Sequence, residues 1–320
     1  MNSELRDAIR NLEMVSVTID GRESFLSDAL SKIGSAIVKE GAKAVAGFAV
    51  EKTVSGLKSL NTSLIKTLGT RRMLLSNLLS RASKGENKEE ITFTGTILKN
   101  YTTNGKPSGL VHGVETTVDM FKDVLQYAKD LEAYYNKELV LIQGITSLKN
   151  TQDVTEMLGK FDALKYPVPK GGDDRSAEEV TWFLPGSRAI TYTTGSHKFS
   201  FSTREHETTV EDTTESFAQS EFKELIKKLN ELVSIYKGVS DANDHYAEYL
   251  KKYNTVVGKA SEHPSSLRGE VSASLLNDLG SRIEGNTLLF TFYTGFLAKV
   301  MIYLDDYVET LSSHLSKQFN

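Results

Sequence analysis

The chain has 320 residues, of which 39% are hydrophobic and 25% charged, with a net charge of −4 and no cysteine. This is enough apolar material for one core or two modest ones, and five prolines without a low-complexity tract exclude a mainly disordered chain. The lack of cysteine excludes disulfide scaffolds, thiolate metal sites and cysteine nucleophiles.

The N-terminus is polar and amphipathic, which predicts a short helix over residues 3–14 and contains no apolar segment of the signal-peptide kind. The longest uncharged apolar run, Asn286–Ala298, is shorter than the roughly 20 residues that a membrane-spanning helix needs. We therefore expect synthesis in the cytoplasm and no stable insertion into a membrane.

From Ser24 to residue 83, apolar residues recur every three or four positions, which predicts amphipathic helix. Each glycine inside a helix costs about 1 kcal/mol relative to alanine. We therefore predict two or three helical segments, separated near the glycines of this stretch: Gly34, Gly41, Gly47, Gly56 and Gly69.

Residues 30–85 are strongly basic, with ten lysines and arginines against two acids, Glu40 and Glu51. The other residues must then sum to −12 for the chain to total −4. Such segregation indicates that the N-terminal region has a different partner or fate from the body.

Four interpretations of the basic segment remain open. It is an ordinary solvated helical face, or it binds nucleic-acid phosphates without reading sequence. It docks on an acidic protein surface, including the body of this same chain, or it lies on a membrane surface. Phe48 is the only aromatic residue among residues 30–85, which argues against membrane binding.

After a charged linker at residues 83–90, the chain becomes rich in threonine and β-branched residues. This pattern predicts two strands, Ile91–Tyr101 and Leu110–Thr117, around a turn at Asn104–Pro107. Helical periodicity then predicts a helix of about 30 residues from Thr116 and a shorter one over residues 152–164.

Prolines 167 and 169 and a Gly-Gly-Asp-Asp run break the chain near residue 170. Three short strands separated by good turn sequences are predicted after it: Val180–Leu184, Arg188–Thr194 and Lys198–Thr203. With the 91–117 pair they are expected to form one antiparallel sheet. Helical patterns follow over residues 214–258, 267–283 and 288–315.

These elements predict a mainly α protein of the α+β class, an elongated bundle of long antiparallel helices with a small antiparallel β-sheet insert. Charge divides the chain into a basic helical N-terminal region, residues 1–85, and a helical body, residues 86–320. The strands of the body are expected near 91–117 and 180–203.

Motifs for catalysis or metal binding fail on inspection. The six histidines lack ligand spacing, and the sequence around Lys106 lacks the glycine and hydroxyl residues of a phosphate-binding loop. The carboxylates Asp173, Asp174, Glu178 and Glu179 allow acid–base chemistry, but they stand in the most loop-like part of the chain. We expect no enzymatic activity, no metal and no cofactor.

Two stretches carry a family resemblance: SFLSDALSKIGSAIVKEGAKAVAGFAVE, from residue 24, and FLPGSRAI, from residue 183. With a helical body and a small β insert, the chain resembles the internal head proteins of giant tailed bacteriophages of the phiKZ type. The resemblance implies a structural protein of the virion that is made in the host cytoplasm and packaged with DNA in the phage head.

The resemblance also implies proteolytic processing. In that family a propeptide directs the protein into the assembling head, and a phage maturation protease cuts after a small residue, any residue and glutamate. The best match is Ala49-Val50-Glu51, which makes residues 1–51 a possible propeptide, and Gly21-Arg22-Glu23 is a weaker one.

The implied partners are the head scaffold or other virion proteins, non-specific DNA and a second copy of the chain. We expect attachment to the head scaffold or to DNA through basic residues of the N-terminal segment: Lys32, Lys39, Lys43, Lys58, Lys66, Arg71 and Arg72. The alternative function is that of a helical pore-forming or membrane-active protein with a β tongue, since such proteins also combine long helices with an apolar, glycine-rich segment.

Overall fold

The computed structural model describes residues 3–12, 36–203, 210–216, 218–267, 269–284 and 287–319, with the backbone alone for 36–49. Its long helices are α2, α4, α6 and α9, and the shorter ones flank them. In chain order the helices are α1 (residues 3–12), α2 (Ala36–Ser83), α3 (Gly95–Tyr101), α4 (Gly109–Gly144), α5 (Thr151–Asp162), α6 (Gln219–Ala260), α7 (Ala273–Glu284), α8 (Thr287–Thr291) and α9 (Leu297–Ser316). The mainly α, α+β class is confirmed.

Helix α2 is continuous over 48 residues, about 70 Å at 1.5 Å per residue. The predicted breaks near Gly41, Gly47, Gly56 and Gly69 were therefore wrong, and Gly34 lies outside the described residues. The cost of its glycines is offset because α2 buries an apolar stripe against the rest of the bundle. The buried residues of this stripe recur at helical spacing: Val54, Leu57, Leu60, Leu64, Leu68, Leu75, Leu78 and Ala82.

Side-chain contacts fix the directions of the long helices. Asn61 donates to the carbonyl oxygen of Ser240 at 3.0 Å, and Gln219 donates to that of Ala82 at 2.8 Å, so α2 and α6 are antiparallel. Helix α4 runs parallel to α6, because Lys228 pairs with Glu115 at 3.4 Å and His245 with Glu132 at 3.2 Å.

The apolar side chains of α1, α2, α4, α6 and α9 belong to one core. The charge boundary near residue 85 is therefore not a boundary between cores. A second, smaller core lies where α4 and α6 end and contains residues of α5 and α7. It buries Ile142, Ile145 and Val154 beside Ala260 and Leu279.

The strands form two sheets within the described residues, not the single sheet that we predicted. One pairs β1 (Glu90–Phe93) with β6 (Thr213–Ser216). The other is antiparallel and has the order β2 (Asp174–Arg175), β3 (Glu179–Leu184), β4 (Arg188–Thr193) and β5 (Lys198–Thr203). The prediction of strands over 180–203 is confirmed.

The predicted strands over 91–117 are largely wrong. Only Ile91–Phe93 lies in a strand, because Thr94 then caps α3 by accepting a hydrogen bond from the backbone N–H of Ile97. Residues 110–117 belong to α4, whose buried positions Leu110, Val114 and Val118 follow a four-residue spacing. β-branched composition was outweighed by this helical periodicity and by burial against α6.

The β3–β4 hairpin is anchored in the core at its tip. Gly186 and Ser187, in a three-residue loop between Leu184 and Arg188, both have positive φ, 74° and 57°, a conformation that glycine adopts without strain. A Cβ on Gly186 would lie 2.7 Å from the carbonyl oxygen of Asn100. The tip therefore packs directly on α3, and the hairpin is not a free tongue.

Glu138 on α4 has a shifted acidity. Burial raises its pKa to about 7, although the positive charge of Arg282 acts in the opposite direction. Its folded pKa thus exceeds the unfolded value of 4.5, so its contribution to stability is complete below pH 4.5 and is lost as the pH rises through 7.

We predict that Glu138→Gln, which is neutral at every pH, matches the parent chain near pH 4.5 and is more stable at pH 8. With allowance for solvent screening of a partly buried group, the gain at pH 8 should be about 1–2 kcal/mol. Urea unfolding at several pH values measures it, and two parallel pH profiles would contradict it.

We predict that Gly186→Ala destabilises the protein by about 1–3 kcal/mol, because alanine at positive φ is strained and its methyl group meets the Asn100 carbonyl. Gly195→Ala in the next hairpin is the matched control, since no atom lies within 4 Å of a Cβ there. Thermal unfolding of both variants compares them, and equal losses would refute this account of the turn.

Candidate attachment surface

The predicted attachment residues occupy different environments. Lys32 lies outside the described residues. Lys39 and Lys43 belong to α2, but only the backbone of this part of the helix is described. Lys58 is exposed on α2 and has no ion-pair partner in the part of the chain that the structure describes. Of the seven predicted residues, Lys58 is thus the clearest candidate for contact with a partner.

Lys66 and Arg72 are exposed but have internal partners. The Lys66 ammonium lies 2.6 Å from a carboxylate oxygen of Glu4, which ties α1 to α2. Arg72 donates to the hydroxyl oxygen of Ser234 on α6 at 3.2 Å. Exposed contacts of this kind contribute little to stability, so both residues remain accessible to a partner.

Attachment to a partner requires a side chain at the surface, but Arg71 points into the bundle. Its side chain is 12% exposed and lies 3.4 Å from Asp305 and 3.0 Å from Glu309 on α9. Asp305 is fully buried and also accepts a hydrogen bond from the Tyr236 hydroxyl at 2.8 Å. Burial raises the pKa of Tyr236, and the negative charge of the Asp305 carboxylate raises it further. Arg71 therefore neutralises a buried carboxylate, and we assign it a structural role.

The antiparallel packing of α2 and α6 adds lysines that the sequence analysis missed. Residue 61 of α2 contacts residue 240 of α6, and residue 72 contacts residue 234. Extended along the antiparallel pair, this register places residues of α6 near 253 level with Lys52 of α2. Three exposed lysines of α6 lie on this last part of the helix, with no ion-pair partner among the described residues: Lys251, Lys252 and Lys259.

We name the set Lys58, Lys251, Lys252 and Lys259 the lysine end. Along the bundle axis, residues 251–252 lie about 7 Å from the level of Lys58, and the spacing between the two helix axes adds about 8–10 Å across it. Four exposed acids lie at similar levels, Glu51, Asp244, Glu248 and Glu262, and exposed Lys52 adds a further cation. The five lysines exceed these four acids by one charge. No sequence motif joins residues 58 and 251, so only the packing brings them together.

The predicted processing site lies inside a helix. Ala49, Val50 and Glu51 belong to α2, more than ten residues from its start at Ala36. Val50 is partly buried and packs against the main core, whereas Glu51 is exposed. Proteases bind extended segments, so a cut after Glu51 would first require α2 to unwind locally. The weaker match at Gly21–Glu23 lies outside the described residues.

A cleft of about 600 Å³ lies between α4, the start of α6 and β3. Its carboxylates are occupied by the protein itself: Asp123 accepts from the Trp182 indole N–H at 2.9 Å, and Glu115 pairs with Lys228. Asp173, one of the predicted acid–base carboxylates, accepts from the backbone N–H of Phe183 at 2.6 Å. No metal-binding cluster of histidine and carboxylate side chains occurs among the described residues.

One stretch of the described helices, Ala273–Ser316, is long and apolar enough to cross a membrane, but 71% of its apolar window is buried inside the protein. The apolar side chains of the β3–β4 hairpin, including Val180, Trp182 and Ile190, are buried in the main core. The β tongue that suggested a pore-forming protein is thus packed into the core, whereas the side chains of the glycine-rich segment at residues 41–49 are not described.

The comparison with protein families gives one match over almost the whole chain. A model described as phiKZ-like phage internal head proteins matches residues 3–300. No curated protein and no solved structure matches the chain.

We predict that Arg71→Ala destabilises the protein by about 3–5 kcal/mol, because it leaves the Asp305 carboxylate buried without its counter-charge. Arg72→Ala, the adjacent exposed arginine, should change stability by about 0.5 kcal/mol or less. Urea unfolding compares the two. Asp305→Asn in the Arg71→Ala background should recover part of the loss, and equal effects of the two alanine variants would contradict the structural role.

Proposed function

The chain belongs to the phiKZ-like phage internal head proteins, and we propose that it is a non-enzymatic component that binds packaged DNA through its lysine end. Membership of the family gives it a structural role inside the phage head. The observation that carries the DNA proposal is that exposed lysines from the middle of α2 and the last part of α6, without ion-pair partners among the described residues, lie at neighbouring levels of the bundle.

The residues of α2 suit a phosphate backbone. Between Lys52 and Lys84 the sequence contains no acid, and its outward positions carry hydroxyl and amide side chains such as Ser55, Thr62 and Asn77. Lysine, serine, threonine and asparagine are the residues that contact DNA phosphates without reading the bases. We therefore place DNA, rather than an acidic protein, at the lysine end.

The mechanism is electrostatic. Lysines that contact phosphates release condensed counterions, so the affinity falls steeply with salt. The residues outside 30–85 sum to −12, and this negative charge repels DNA elsewhere on the molecule. The protein would then approach DNA with one end of its bundle, and many copies could line the genome without sequence preference.

We further propose that the maturation protease cuts after Glu51 once α2 has unwound locally. The glycines at 41, 47 and 56 favour such unwinding, because each lowers helix stability by about 1 kcal/mol relative to alanine. The cut would remove Lys32, Lys39 and Lys43 but leave the whole lysine end in the mature protein. DNA binding at this end therefore does not depend on processing.

The test of DNA binding is charge reversal at three positions, Lys58→Glu, Lys251→Glu and Lys252→Glu together. The matched control reverses Lys99, Lys129 and Lys160, which are exposed helical lysines elsewhere on the bundle and have no ion-pair partner among the described residues. Fluorescence anisotropy with a random-sequence duplex measures the affinity across a salt series. Loss of three phosphate contacts should reduce the slope of log K against log salt by about 2.7.

The control variant should keep most of the slope of the parent chain. If both triple variants lose the same affinity, net charge alone explains binding and the lysine end has no special role. Virions assembled with each variant, quantified by mass spectrometry of purified heads, show whether DNA binding is also required for packaging.

A further inference from the structure

Helix α1 is held on the bundle by its apolar face. Leu5, Ile9 and Leu12 are fully buried, and Ala8 is 4% exposed. A helix of ten residues is marginal in water on its own. The stability of α1 therefore comes from the groove that receives these four side chains.

The groove lies on α2 and α9 and selects one orientation of α1. Leu12 contacts Gly56, where a Cβ would lie 3.0 Å from the Leu12 Cδ1 atom. Glu4 pairs with Lys66 at 2.6 Å, and Arg6 pairs with Asp306 of α9 at 3.4 Å. The arm α1 and the groove thus each supply one acid and one base. Because Glu4 lies at Lys66 and Leu12 at Gly56, α1 runs antiparallel to α2.

The covalent connection does not restrict α1 to the groove of its own chain. Leu12 lies beside Gly56, twenty residues and about 30 Å along α2 from its start at Ala36. Residues 13–35 form a connection of 23 residues, whose fully extended length is about 75 Å. This upper bound exceeds the required span more than twofold, so chain length alone does not restrict α1 to its own groove.

We propose that α1 is an exchangeable arm, and that the groove on α2 and α9 binds the α1 helix of a second copy of this chain. Exchange requires no new contact, because the same four apolar side chains and two ion pairs form in either arrangement. The competition is set by concentration alone. Reciprocal exchange gives a closed two-fold dimer, and one-way exchange gives a chain of copies.

Intramolecular binding generally has an effective concentration on the order of 1 mM. We take this general value for α1, so exchange is expected to be negligible in dilute solution and substantial when the protein itself reaches millimolar concentration. The inference does not depend on DNA binding, since neither the four apolar side chains nor the two ion pairs belong to the lysine end.

The Glu4–Lys66 pair allows a test on the unaltered full-length chain. Equal amounts of ¹⁴N- and ¹⁵N-labelled protein are incubated together and treated with a zero-length carbodiimide, which joins a carboxylate to a contacting amine. Mass spectrometry of the peptide that links residues 4 and 66 shows whether its halves come from one chain or two. Mixed-isotope peptides should rise from about 0.5% at 10 µM to about a quarter at 1 mM.

The Glu115–Lys228 pair is the internal control, because its partners lie on α4 and α6 within the same bundle, 3.4 Å apart. Its linked peptide should stay isotopically unmixed at both concentrations. A peptide between residues 4 and 66 that remains unmixed at 1 mM would overturn the proposal, as would equal mixing in both peptides, which reports random collision.

A second test uses disulfides, since the chain has no cysteine of its own. The Leu12 Cβ lies 4.0 Å from a Cβ placed on Gly56, within the range for a disulfide. Leu12→Cys protein mixed with Gly56→Cys protein at 1 mM should form a covalent heterodimer. The mixture of Asn11→Cys with Ser80→Cys, both at exposed positions, is the collision control, and equal dimer yields would contradict exchange.

Discussion

The structure depends on the burial of one face of α2 along α6 and α9. This face is almost wholly aliphatic, and its leucines supply much of the main core. Two polar contacts interrupt it and fix the register. Asn61 donates to Asp244 at 2.7 Å and accepts from Asn243, and Arg71 reaches Asp305 and Glu309. Because a leucine stripe alone tolerates sliding by a turn, these contacts determine which lysines stand level with one another.

The same constraint separates cations that look alike in the sequence. Arg71 and Arg72 are neighbours, yet successive helical residues point about 100° apart, so one enters the bundle and the other reaches its surface. An arginine that neutralises a buried carboxylate is unavailable to a partner. The basic character of α2 is therefore partly a requirement of folding, and only the outward lysines remain for DNA.

The small sheets follow from the connection between α4 and α6. These helices are parallel neighbours, so the chain must return along the whole bundle after Gly144 before α6 begins at Gln219. Helix α5 and strands β2–β6 occupy this return. Trp182 fastens the sheet to α4 through Asp123, whose carboxylate lies so close to Gly171 that a Cβ there would overlap it. The insert is thus a packed part of the fold.

The sequence by itself determined the mainly helical class, the breaks near residue 170 and the three strands over 180–203, because these depend on local periodicity and turn residues. It also determined that the N-terminal third is basic. It failed at the glycines of α2 and over residues 91–117, where tertiary burial outweighed local propensity. Only the tertiary structure decided which cations face outward and that Lys251, Lys252 and Lys259 join Lys58. Such grouping depends on contacts between residues almost 200 positions apart, which no local pattern encodes.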